Sequence, residues 1–447
     1  MLRLVRAGLI LAALMAAAGF AAWLADQPGR LRLDWFGYVI EMPAPLLALG
    51  IVLLASAIFV ATWIVAWAAA LPQRRRLKRQ ARGYAQFAAG MVAVAAGEAE
   101  RAARLAEKAQ GLLQDPALAR LLAAHAAQLG GRQDAARAAF AGLSQDPGTA
   151  FLGYRGLLAD ARERGDRAAA LQYAERASAL RPGSPFAAEA ELQLLVEGAQ
   201  WDAAQARLTR ARKAKAVSKP AAAQLSGRLI LAQAEAALQR NEPRQARQLL
   251  DQAMRLLPDH PAPPVLLARA ARLDSGNHAA RETALQVLRR AWQRQPAEAY
   301  AEAWLGLQNA AAADRLLERA RDFTAGQANA DESRLLRAAA ALKAHDFAAA
   351  REELGIVGSQ SFGSWGERLM AQLAEHGDGD AAAADRWRAR AAAHEGVWQC
   401  GRCGSGHAAW APLCPQCGAF DSLNPTRLGE TLPLAMPPRP LLPAERR

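Results

Sequence analysis

Apolar residues fall into three regimes along the chain. The runs Ala7 to Ala25 and about Leu46 to Leu71 carry no charge, and each is long enough to cross a hydrocarbon core as a helix. From Tyr84 to about Glu395 the apolar positions recur with a helical period, in short amphipathic segments divided by small or turn-forming residues. Past that point the period disappears. The dividing phrase repeats: Gly97-Glu98-Ala99, Gly131-Arg132-Gln133-Asp134-Ala135, Gly165-Asp166-Arg167-Ala168. Its glycines stand 34 residues apart twice over, the period of a helix-turn-helix repeat of the tetratricopeptide kind.

Looser copies follow at Gln200-Trp201-Asp202, Asn241-Glu242-Pro243, Gly276-Asn277-His278 and His345-Asp346-Phe347. Prolines such as Pro182, Pro258 and Pro296 cannot continue a helix and separate one hairpin from the next. A single hairpin cannot bury its apolar face, so the copies are expected to stack as a solenoid. An irregular connection is expected from Gly355 to Gly366. The last hairpin is expected to turn at Gly377-Asp378-Gly379-Asp380 and to cap the stack.

The predicted fold class is all-α, in four parts. Residues 1–83 form a membrane anchor with two transmembrane helices, at about 7–25 and 46–71; residues 84–395 form the α-solenoid. Residues 396–424 form a small metal-binding ribbon, and residues 425–447, rich in proline and leucine, a disordered tail. Between the spans, Arg30 to Glu41 alternates polar and apolar residues around Gly37 and predicts a short β-hairpin. Aromatics make up 6% of the 447 residues, so alanine and leucine must pack most of the array.

A formal charge of +13 favours acidic surroundings, and part of it is concentrated in Arg74, Arg75, Arg76, Lys78 and Arg79, directly after the second apolar run. Such a cluster meets anionic headgroups and is retained in the cytoplasm. Both termini and the array are therefore expected on the cytoplasmic side of a bacterial inner membrane, with only the hairpin in the periplasm. No recognition fold or series of stacking aromatics accompanies the charge, which argues against nucleic acid.

All four cysteines lie near the carboxyl end, in Cys400-Gly401-Arg402-Cys403-Gly404 and Cys414-Pro415-Gln416-Cys417-Gly418. Two C-x-x-C pairs, each followed by glycine, make two knuckles that can aim four thiolates at one tetrahedral centre. The expected metal ligands are Cys400, Cys403, Cys414 and Cys417, holding structural zinc; iron fits the same geometry. His407 lies between the knuckles as a competing ligand, and Cys414-Pro415 also reads as a haem-binding dipeptide, although proline is ordinary at that place in a ribbon. The other histidines, His260 among them, fall singly on repeats or turns and read as surface or packing residues. No phosphate-cradling glycine loop and no catalytic triad or carboxylate pair stands out from solvated helix faces, so no catalytic or cofactor-binding residues are assigned and the chain is not expected to be an enzyme.

The two amino-terminal spans, the segment Trp35-Phe36-Gly37-Tyr38-Val39-Ile40-Glu41, the arginine cluster and the repeats together resemble the HemY family of bacterial inner-membrane proteins. That resemblance implies a non-catalytic role in late haem, or porphyrin, biosynthesis. The ending Cys414-Pro415-Gln416-Cys417-Gly418-Ala419-Phe420-Asp421 is similar to the rubredoxin-type tail of LapB, an adaptor in lipopolysaccharide assembly, although LapB-like proteins have one span where two are read here. The expected partners are proteins held in the repeat groove, haem-biosynthesis enzymes among them, with Arg120, Gln128, Tyr154 and Arg155 on its lining. Two further readings are direct carriage of haem or porphyrin, and a ribbon packed on the array that orders the partner-binding face, as in LapB-like adaptors.

Overall fold

The computed structural model describes residues 30–35, 38–113, 115–308, 315–357, 362–392 and 396–426, together with Met15, Gly19, Ala22, Trp23 and Leu441. It divides into two compact units, Met1–Ala139 and Phe140–Arg447.

In the first unit, β1 (Arg30–Trp35) pairs antiparallel with β2 (Tyr38–Pro43), Trp35 standing opposite Tyr38. This is the hairpin that the alternation around Gly37 predicts. One continuous helix follows, α1 (Ala44–Ala95), of 52 residues. At 1.5 Å per residue it is about 78 Å long. The expected pair of membrane spans is not seen. Among the described residues no helix is long and apolar enough to cross a membrane. The first expected span lies almost wholly outside the described residues, and the second falls inside α1, which does not stop at Leu71 but runs on through the arginine cluster into the first repeat helix. Large apolar side chains of α1 from Leu46 to Val65, including Leu53, Ile58, Phe59 and Trp63, are exposed. Arg76, Lys78 and Arg79 are exposed as well, whereas the side chains of Arg74 and Arg75 lie outside those described.

Helices α2 (Ala99–Leu112) and α3 (Pro116–Leu129) complete the first unit, and α4 (Gln133–Ser144) runs into the second. There α5 (Ala150–Glu163), α6 (Arg167–Leu180), α7 (Pro185–Glu197), α8 (Trp201–Lys213) and α9 (Lys219–Gln239) follow, each packed on the next. They are succeeded by α10 (Pro243–Leu256), α11 (Ala262–Leu273), α12 (His278–Arg294), α13 (Glu298–Gly306) and α14 (Leu316–Thr324). The last helices are α15 (Asp331–Lys343), α16 (Phe347–Val357), α17 (Gly363–His376) and α18 (Ala381–Ala392), with Gly377 to Asp380 between the final two.

The repeat shows most clearly in its turns. After α3, the Arg132 N–H donates to Ala127 C=O at 2.9 Å and the Gly131 N–H to Gln128 C=O at 3.2 Å, with Gly131 in the left-handed region at φ +69. This closure satisfies carbonyls that the helix end would leave bare. The same pair of bonds recurs at Gly97, Gly165, Ala199, Asn241 and His345, and after the second helix α8 at Lys215, all at positive φ. From Gly97 through Gly131 and Gly165 to Ala199, each after the first helix of a hairpin, the interval is 34 residues; the corresponding turn after α9, at Asn241, comes 42 residues on, because α9 has 21 residues where α7 has 13. Ala199 thus occupies a position where an L side chain is strained by roughly 1 kcal/mol. Gly131→Ala should lower stability by about that amount, since nothing lies within 4 Å of the added carbon and the effect is purely conformational. Ala199→Gly should raise stability slightly. Thermal melts of the two variants check the pair, and equal shifts would contradict the assignment.

Within each hairpin, alanines one helical turn apart let the helices approach. Ala102, Ala106 and Ala109, then Ala170, Ala174 and Ala177, are all 3% exposed or less. One part of the second unit departs from this: Trp292, fully buried, lies 5.5 Å from the ring of Phe323, which in turn lies 5.2 Å from that of Trp304.

Nearby, Glu298 of α13 is paired with Arg368 of α17, and Glu302 stands one turn further on. Burial pushes the Glu298 carboxyl up from 4.5 to about 7, against the pull of Arg368. The folded state therefore holds the proton more tightly than the unfolded one, so this group's stabilisation is complete below pH 4.5 and is lost as pH rises toward 7. The amount is about 3 kcal/mol at 1.36 kcal/mol per pH unit. Glu298→Gln should flatten that segment of the stability curve and gain at neutral pH. Denaturation midpoints across that range measure it, and an unchanged slope would refute it.

Candidate metal centre

The ribbon is a three-stranded antiparallel sheet in the order β4-β3-β5, made by β3 (Trp398–Cys400), β4 (Gly406–His407) and β5 (Leu423–Pro425). Its two knuckles are built alike. The Gly404 N–H donates to Cys400 C=O at 2.9 Å and the Cys400 N–H to Ser405 C=O at 2.9 Å; the Gly418 N–H donates to Cys414 C=O at 2.8 Å and the Cys414 N–H to Ala419 C=O at 2.9 Å. Both turns need a residue at positive φ in the fifth position, +75 at Gly404 and +67 at Gly418, which is why glycine follows each C-x-x-C.

The knuckles bring all four predicted cysteines together, with every Sγ within 4.8 Å of the others. Cys400 and Cys417 are 3.8 Å apart, as are Cys403 and Cys414. A regular tetrahedron of thiolates about 2.3 Å from a central ion has an edge of about 3.8 Å, whereas a disulfide would require about 2 Å. The four free thiols therefore fit a metal ion and not a pair of bridges. The donor set suits zinc and iron alike. Four such ligands would close a metal site, leaving no position for substrate.

Hydrogen-bond donors favour the thiolate at two of the four cysteines, Cys400 and Cys403. The Arg402 N–H donates to the Cys400 sulfur at 3.4 Å, and the Ser422 hydroxyl lies 3.2 Å from the same atom. Burial opposes ionisation of Cys400, but these hydrogen bonds outweigh it and lower its pKa. The Ser405 hydroxyl and amide hold Cys403 down to about 6, while burial pushes Cys417 up to about 12. Ionising four thiols so close together requires a cation at their centre. His407 stands outside the set, its Nε2 2.8 Å from Ser405 Oγ and 3.4 Å from Cys414 Sγ. Cys414 is buried, and its sulfur lies with the other three.

The ribbon packs on the array. Asp421, in the second knuckle's exit, reaches His260 Nε2 at 2.8 Å and Arg228 Nε at 3.1 Å. Burial would raise its carboxyl, but the bond to His260 and the charges of His260 and Arg228 prevail and hold it below the usual carboxylate range. The Phe420 ring stacks on Trp201 of α8 at 5.9 Å, and Trp410, 4% exposed, meets His260 edge-on at 6.1 Å. These docking residues carry no local sequence signal; His260 and Asp421 are 161 positions apart. Of the residues expected to line a groove, Tyr154 and Arg155 join a row of rings and cations in α5 to α7: Tyr154 stacks on Tyr173 at 6.3 Å, and Arg155 lies over Phe186 at 4.8 Å. Arg120 and Gln128 are exposed on α3, in the other unit.

Fold and site together define a helical-repeat protein carrying a four-cysteine ribbon. Residues 29–131 match the family model described as HemY protein N-terminus, which bears out the HemY resemblance over that segment. Over 426 residues the chain is 27% identical to the probable magnetosome protein Mms48 of Magnetospirillum gryphiswaldense, covering 93% of this chain and 92% of that one. Among solved structures, a chain of Naa15/Naa10 bound to HypK-THB superposes with a TM-score of 0.43 and 17% identity; the alignment covers 72% of this chain and 52% of that one, about half its length.

Proposed function

We propose that this protein is a non-catalytic, membrane-anchored scaffold that holds a protein partner in its helical array on the cytoplasmic face, in the service of late haem biosynthesis. The observation that carries the reading is α1, in which exposed apolar side chains from Leu46 to Val65, the basic residues Arg76, Lys78 and Arg79, and the first repeat helix share one rod. Apolar surface of that extent has no stable place in water and suits a bilayer, while the basic residues suit anionic headgroups. Two spans, at about 7–25 and 46–71, remain our reading of the anchor.

The haem assignment is supported by the HemY match over residues 29–131. A LapB-like adaptor role in envelope assembly is the second reading, favoured by a ribbon that packs on the repeats through Asp421 and Phe420. We assign structural zinc to Cys400, Cys403, Cys414 and Cys417, and metal analysis of the purified chain should find one ion per chain. Full-length protein should stay with membranes through a high-salt wash, and removal of residues 1–71 should release it. Retention of the truncated chain would defeat the anchor assignment.

A further inference from the structure

A cleft of about 780 Å³ opens where the ribbon meets the array, between α10, α12 and the start of α11, with Asn424 and Pro425 of β5 as part of its wall. Its size is that of a ligand site. Three arginines line it: Arg255 in the last turn of α10, and Arg290 and Arg294 one turn apart on α12. Arg294 is satisfied by Asp259 at 2.9 Å and Pro258 C=O at 3.0 Å. Arg255 and Arg290 are exposed and have no partner among the described residues. Asp251 is the remaining acidic group of the lining, and Met254 and Val287 supply apolar surface beside the guanidinium groups.

We propose that this cleft binds a short acidic segment of a partner protein, two of whose carboxylates meet Arg255 and Arg290 while an apolar side chain rests on Met254 and Val287. Guanidinium groups bind carboxylates with two parallel hydrogen bonds, and recognition of acidic motifs by arginine clusters is a recurring mode. The space far exceeds one small anion. A planar membrane surface cannot enter a concavity. Nucleic acid would want rings to stack on, yet Tyr300, the aromatic of the lining, is 6% exposed. β5 is an edge strand, but addition of a further strand to it is disfavoured because Pro425 has no N–H to offer. The inference rests on the scaffold reading and names the partner's chemistry.

The test is a fluorescence-anisotropy titration of the full chain in detergent micelles with a peptide alternating glutamate and leucine, its dye uncharged. Saturable binding is expected, weakened at least tenfold by Arg255→Glu with Arg290→Glu, tightened by Asp251→Asn, and absent for the lysine-leucine counterpart. Thermal melts verify that the reversal variant folds; if it does not, Arg290→Gln carries the comparison. No saturation, equal affinity after charge reversal, or equal competition by oligothymidine would overturn the assignment. Retention of a co-purifying partner by the same variant would separate failure of this cleft from failure of the scaffold reading.

Discussion

Replacing Cys414 by serine should detach the ribbon from the array and leave the helices folded. The strands of the ribbon have three, two and three residues, and its large apolar side chains, Trp398 and Trp410, are buried together with the array's core rather than in a core of their own. A module that small would depend on the proposed metal: structural zinc contributes on the order of 10 kcal/mol of folding free energy in isolated fingers. With one thiolate gone the four-point closure fails, and Asp421 and Phe420 lose the geometry that brings them to Arg228, His260 and Trp201. The array's own contacts are helix on helix and survive. Trypsin should then cut rapidly after Arg402, tryptophan emission should shift to the red, and far-ultraviolet dichroism should hardly change. A chelator should reproduce all three. Protease resistance equal to that of the native chain would mean that the ribbon folds without its metal.

The next largest effect is expected from Trp292→Ala. This ring is fully buried, packs on Phe323 and donates its Nε1–H to Ser333 Oγ at 3.2 Å. Truncating a buried tryptophan costs about 3–5 kcal/mol, part of it from the cavity left behind. Because repeats touch chiefly their neighbours, the loss should concentrate near α12 to α15 and break the cooperativity of unfolding. Hydrogen exchange should accelerate there first, with α6 to α8 unaffected. Uniform acceleration across the second unit would contradict a local account.

These two sites show what the sequence could and could not reveal. The knuckles are legible because C-x-x-C-G encodes its own turn, with ligands and left-handed glycine in five adjacent residues. The 34-residue period is legible where glycine marks it, at Gly97, Gly131 and Gly165, but the fourth turn passes through Ala199, whose backbone adopts the same conformation without the signature residue. Low aromatic content correctly points to alanine packing along most of the array, yet it does not foretell the cluster of Trp292, Trp304 and Phe323. The ribbon's packing on the array is one of the arrangements the sequence leads one to expect. Its contacts were not readable, since Trp201, Arg228 and His260 look like ordinary repeat residues until the fold brings Phe420 and Asp421 to them. The second expected span is the reverse case: hydropathy ends it at about Leu71, whereas α1 continues without a break from Ala44 to Ala95.

Crosslinked affinity purification of the full-length chain from its own membrane tests the scaffold reading most directly. The account predicts a discrete protein partner crosslinked to array peptides, with haem-biosynthesis enzymes enriched, and its loss when Cys400 and Cys414 are both serine. Enrichment of lipopolysaccharide enzymes or a membrane protease instead would move the assignment to the LapB-like adaptor, and recovery of no array-crosslinked protein would contradict the scaffold altogether.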